Sequence, residues 1–225
     1  MKKIVFCFCC LLSTAFANLE VEDLKQRVSK VLPTLEGWCS QEKAMNFIDL
    51  VLEVKPEVCV EIGAFGGSSV FPVASALKFL GNGTLIAIDP WDKIECIKYF
   101  DPIEDAEHLK WWGNLNINYI YYAYLNMLKK NGLEDYVVTL RSTSENAISH
   151  IDTIDILYID GNHSELVSLL DVELYLPKVR DGGYVWYNDA PWPDRQEALE
   201  LLLDACDVVK HIDDGKCILL KKRPS

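Results

Sequence analysis

Residues 58–69 read Val58-Cys-Val-Glu-Ile-Gly-Ala-Phe-Gly-Gly-Ser-Ser69. Val58 to Ile62 is a short apolar run with β-branched residues, which predicts a buried strand. Gly63 to Gly67 predicts a turn, because glycine adopts left-handed backbone that other residues resist. Ser68 to Leu80 then reads as a helix, with Ser68 placed to cap it. The same order recurs downstream. Thr84 to Ile88 predicts a second strand ending at Asp89, Tyr136 to Leu140 a third, Ile154 to Ile159 a fourth ending at Asp160, and Tyr184 to Tyr187 a fifth ending at Asn188-Asp189. Helices are predicted at Ser144 to Ile151, at Glu165 to Leu176 with Leu166, Leu169, Leu170 and Leu174 on the apolar face, and at Arg195 to Asp204. Strands alternating with helices predict an α/β fold: a single doubly wound, mostly parallel sheet with helices on both faces.

The flanks complete this frame. Val21 to Leu32 and Gln41 to Val54 carry apolar residues at three- and four-residue spacing, among them Ala44, Phe47, Ile48 and Val51, and read as helices. Residues 91–130 lack strand signals and hold Trp91, Trp111, Trp112 and several tyrosines, which predicts a helical insertion. Val208 to Ile212 and Cys217 to Lys221 flank Asp213-Asp214-Gly215-Lys216, the signal of a C-terminal antiparallel hairpin. The chain has 225 residues, half of them hydrophobic, enough for one sizeable core but not for two.

Composition also excludes partners and sets a compartment. Against 22 Lys+Arg stand 34 Asp+Glu, a net charge of -12, and no basic stripe is present, which argues against nucleic acid. Lys2 and Lys3, the apolar run Ile4 to Leu12 and Ala15-Phe-Ala17 have the grammar of a secretory signal over residues 1–17. That run is too short to span a bilayer, so no stable membrane span is expected after processing. The mature chain is expected to be exported, periplasmic or secreted; without a genuine signal it would be cytoplasmic. Five cysteines follow the signal, Cys39, Cys59, Cys96, Cys206 and Cys217, with no C-x-x-C spacing, so neither a zinc site nor a disulfide framework is evident. The sequence leaves room for a homo-oligomer.

In open α/β sheets ligands bind beyond the carboxyl ends of the strands. Here those ends carry Glu61 and Gly63, then Asp89, then Ser142 and Thr143, then Asp160, Asn162 and His163, then Asn188 and Asp189. Gly63 permits a tight turn, and Gly66 and Gly67 are expected to let a cofactor approach the backbone. A carboxylate at Asp89 suits the two ribose hydroxyls of a nucleoside. The turn lacks the full G-x-G-x-x-G of a dinucleotide site, which weakens an NAD-dependent oxidoreductase reading.

These segments, with Ile88-Asp-Pro-Trp91, Tyr158-Ile-Asp-Gly-Asn-His163, Asp171 downstream and Gly182-Gly-Tyr-Val-Trp-Tyr-Asn-Asp189, resemble the Rossmann-like S-adenosylmethionine-dependent methyltransferases. They look most like the small-molecule O-methyltransferases that include the macrocin O-methyltransferase group. The resemblance implies a methyltransferase-like domain over 18–225 that uses S-adenosylmethionine and a small hydroxylated acceptor. By it, the turn of Gly63, Gly66, Gly67 and Ser68 cradles the methionine end, Glu61 faces the amino group, Asp89 holds the ribose, and Ser142 or Thr143 lies near adenine. Asp160, Asn188 and Asp189 would bind Mg²⁺, hard ligands for a hard ion, and His163 would be the general base. Relatives often carry two acids or His-Asp where this chain has Asn188-Asp189. The competing reading is an exported, non-catalytic binding module that keeps the fold. Export favours that reading, because S-adenosylmethionine is made inside cells.

Overall fold

The computed structural model describes residues 18–224. The expected signal over residues 1–17 lies outside them. A helix through residues 18–31, here α1, leads into α2 (Gln41–Val54), which starts where the Ser40 side chain accepts the Lys43 N–H at 3.1 Å. Then follow β1 (Val58–Ile62), α3 (Val70–Leu80) and β2 (Thr84–Asp89). The insertion is helical, with α4 (Lys93–Cys96), α5 (Ala106–Asn114) and α6 (Ile117–Asn131). β3 (Val137–Arg141), α7 (Ser144–Ala147), β4 (Ile154–Ile159), α8 (Glu165–Tyr175), β5 (Val179–Tyr187) and α9 (Gln196–Ala205) complete the alternation, and β6 (Cys206–Ile212) and β7 (Cys217–Lys222) close it.

The sheet order is β3-β2-β1-β4-β5-β7-β6. The first five strands are parallel, and β7 joins β5 antiparallel as the inner strand of the terminal hairpin. The doubly wound sheet expected from the alternation is therefore the fold. Strand residues alternate between two cores. Cys59 and Tyr158 pack with α2, α3 and α6, whereas Val60, Leu157 and Ile159 pack with α8 and α9. β5 starts earlier than its apolar run suggests, at Val179, because a register shift against β4 absorbs Gly182 and Gly183 as an irregularity.

One packing expectation is corrected. Helix α8 buries Ser168, Asp171, Val172 and Tyr175, and of its four leucines only Leu174 packs against that core. Leu166 is 53% exposed, and with Leu169 and Leu170 it lines a cavity. No helix among the described residues is long and apolar enough to cross a membrane.

Candidate active site

Chain reversal beyond β1, β2 and β5 forces non-glycine residues into left-handed backbone: Phe65 (φ 43°), Trp91 (φ 42°) and Asp189 (φ 49°). Such conformations cost of order 1–3 kcal/mol and concentrate where a site demands them. Phe65 and Asp189 line a cavity of about 1120 Å³, and Trp91 follows Pro90 on the same wall. Gly63, Asp89, Ser142, Thr143, Asp160, Asn162, His163 and Asp189 all line it. Gly63 touches the end of β4 so closely that a Cβ on it would fall 2.0 Å from the Asp160 carbonyl oxygen.

The glycine turn is also a packing element. A Cβ on Gly66 would strike Glu36, and one on Gly67 would strike Met127 and Tyr124 of α6. Their need for glycine thus comes from packing, and neither they nor Ser68 line the cavity; Ser68 instead accepts the Cys39 N–H at 3.3 Å. Glu61 lies buried behind the turn, where Ser69 donates to one carboxylate oxygen and the other, Oε2, has no protein partner. Burial drives its pKa well above the ordinary value.

Asp89 is only 8% exposed and accepts backbone N–H groups from Trp91 at 2.7 Å and Phe65 at 2.9 Å. Burial raises its pKa to about 6, against the opposing pull of those two N–H groups and of Arg141. Each oxygen keeps a lone pair for a further donor. Trp91 is itself core: its indole donates to the Phe65 carbonyl at 2.8 Å and packs on Tyr121 and Tyr124. Beyond β3, Thr143 caps α7, and Ser144 donates to Asp171, a buried carboxylate that burial raises to about 7.

His163 is the centre of the polar wall. Its Nε2 lies 3.2 Å from Asp189 Oδ2 and 3.7 Å from Asp160 Oδ1, close to both but aligned for a hydrogen bond with neither. Burial works against its charged form, yet the two carboxylates outweigh burial and raise its pKa. Tyr158 donates to Asp160 at 2.6 Å. Trp192 stands against the His163 ring at 4.8 Å and stacks on His108 at 5.3 Å. Across the cavity, Trp38 stacks on Phe65 and meets Trp111. His108 also lines the cavity, whereas His150 and His211 are exposed elsewhere.

Asn188 is buried, and its amide is oriented by its neighbours. Lys43 Nζ donates to Asn188 Oδ1 at 2.8 Å, and Cys217 donates to the same oxygen. A lysine ammonium has no acceptor, so the atom facing it must be the oxygen. The amide nitrogen therefore donates to Asp160 at 2.8 Å and Asp189 at 2.7 Å. One ligand atom each from Asp160, His163 and Asp189 lies within 4.8 Å of the others. As they stand, these residues do not offer the three hard oxygens expected for Mg²⁺, because Asn188 presents nitrogen. Lys43 is a site residue that sequence reasoning passed over. A signal was there: Lys43, Phe47 and Leu50 follow a four- and three-residue spacing, and all three are buried.

Residues 60–190, more than half of the chain, match the family model described as a methyltransferase domain. The chain belongs to that family. Solved structures of similar fold include the O-methyltransferase NovP (18% identity over 84% of each chain, TM-score 0.67). A SAH-bound methyltransferase from Podospora anserina, PaMTH1, is 12% identical over 94% of this chain and 96% of its own, with TM-score 0.63. TomG from Streptomyces achromogenes, an O-methyltransferase involved in tomaymycin synthesis and solved in complex with SAM, is 15% identical over 82% and 81%, with TM-score 0.60. No curated protein matches the chain. The methyltransferase fold is thus shared across sequences that have diverged almost completely.

Proposed function

We propose that this methyltransferase moves the methyl group of S-adenosylmethionine to a hydroxyl oxygen of a small acceptor, with His163 as the general base. The observation that carries this reading is the place of His163: on the cavity wall, between two carboxylates, within the same cavity as Gly63 and Asp89. The cavity suits the cofactor on two further grounds. Glu61, behind the glycine turn and outside the cavity's lining, keeps a buried oxygen, Oε2, without a protein partner, a place for a donor that reaches past the turn. Asp89 retains acceptor capacity for ribose hydroxyls, and Ser142 and Thr143, with Leu169 and Leu170 opposite, form a mixed wall fit for adenine.

Bound S-adenosylmethionine supplies a methyl group on a sulfonium, which leaves as a neutral thioether. The chain's own part is to create the attacking oxygen. Asp160 and Asp189 make the His163 imidazole more basic, so it takes the acceptor's O–H proton as the oxygen attacks. Such a base contributes roughly 10²–10⁴-fold. The aromatic surfaces of Trp192, Trp38 and Trp111 suit a ring-bearing acceptor, whose flat face they would cover. A non-catalytic module is not favoured, because Asp89, Asp160, His163 and Asp189 surround a single cavity.

The test is incubation of the purified chain with S-adenosylmethionine and a panel of hydroxylated ring compounds, followed by mass spectrometry. The reading expects a methylated product that disappears in His163→Ala. Full methyl transfer by His163→Ala would remove the base from this account.

A further inference from the structure

We propose that Lys43 is the resident cation of this site and that, acting through Asn188, it takes the place of a divalent metal ion beside Asp160 and Asp189. The inference rests on the methyltransferase reading above only for what the site does, not for how its charges are held.

Lys43 is 4% exposed, on the core face of α2. A buried ammonium is costly unless its charge is used or paired. Its firm partners are neutral: Asn188 Oδ1 at 2.8 Å and the Trp38 carbonyl at 3.2 Å, with Asp213 at 4.0 Å. Its contact with the acids is relayed. Lys43 pins the amide oxygen, and the two hydrogens of the amide nitrogen each meet a carboxylate, one on Asp160 and one on Asp189. An ion seeking three oxygens would find one turned away and two already holding N–H groups. It would also meet the ammonium behind them. The positive charge a metal would bring to this pair of carboxylates is already present in Lys43, and the carboxylate oxygens it would use are already holding the hydrogens of the Asn188 amide. A merely structural Lys43, tying α2 to the hairpin turn at Asp213, would leave metal affinity unaltered when replaced.

The full chain is titrated with Mn²⁺ and free ion is followed by electron paramagnetic resonance, in the wild type, in Lys43→Gln and in Lys43→Met combined with Asn188→Asp. S-adenosylmethionine binding is measured calorimetrically on the same samples. The wild type is expected to leave Mn²⁺ free. Both variants are expected to gain affinity, by roughly 10- to 100-fold, the range over which groups behind metal ligands act. If the double variant does not fold, Lys43→Gln, which removes the charge and keeps a polar side chain, carries the same expectation. Tight Mn²⁺ binding by the wild type, or folded variants that gain none, overturns the proposal. Failure to bind S-adenosylmethionine instead counts against the proposed function and leaves the Mn²⁺ result readable.

Discussion

Cofactor affinity should fall with acid through the titration of Asp89. The carboxylate has a pKa raised to about 6 by burial, and it is expected to accept ribose hydroxyls in its ionised form. At pH 7 it is mostly ionised, and at pH 5 only a tenth of it is. If the protonated form binds weakly, apparent affinity drops about tenfold between those values, because a ligand sees only the competent fraction. The direction separates this effect from unfolding. A carboxyl whose folded pKa is raised contributes stability below its unfolded pKa, near 3.9, and loses that contribution as pH rises through about 6. Acid therefore favours the fold at this residue while disfavouring the cofactor. Asp89→Asn should weaken S-adenosylmethionine by roughly ten- to a hundredfold, as expected for bonds to a charged acceptor worth about 1.5–3 kcal/mol. The variant should also flatten the pH dependence. Because Asn accepts only through its oxygen, one of the N–H groups of Phe65 and Trp91 loses its partner, so thermal melts must accompany the titrations. Calorimetry from pH 5 to 8 decides the matter. Wild-type affinity that is level across this range, in a folded protein, refutes the assignment of the ribose to Asp89.

His163→Ala should lower turnover by roughly 10²–10⁴-fold and leave cofactor affinity within a small factor, read by kinetics and calorimetry together. Because His163 must be neutral to accept a proton and its pKa is raised, activity should climb with pH along a limb displaced above the ordinary imidazole value of about 6.5; Asp189→Asn should move that limb to lower pH. Gly67→Ala, at φ +85° with its new Cβ 2.5 Å from Met127 Cε, should cost about 1–3 kcal/mol in a denaturant melt. Mass spectrometry of protein from its native source should find a chain beginning at Asn18, and an intact Met1 would argue against processing.

The fold was legible because hydrophobic period and glycine turns act locally. The runs at 58–62, 84–88 and 154–159 are strands, and the Asp-Asp-Gly-Lys turn closes the hairpin. What escaped depends on contacts distant in sequence. Gly66 and Gly67 also pack against Glu36 and α6, contacts that no local pattern announces. The leucines of α8 look like a core stripe, but the core takes the side of that helix that carries Ser168, Asp171, Val172 and Tyr175. The carboxyl-end residues Asp89, Asp160, His163 and Asp189 could be named from strand ends alone. The direction of the Asn188 amide could not, because it is set by Lys43, 145 positions away along the chain. Trp192 and His108 belong to loop and insertion, where only the folded chain shows that their rings stack beside His163.

The most direct test of the account is a crystal structure of the protein with S-adenosylhomocysteine. The ribose hydroxyls are expected on Asp89, the adenine beside Ser142 and Thr143, and the sulfur turned toward His163 across Gly63. A nucleoside bound away from Asp89, or a sulfur facing away from His163, would contradict it.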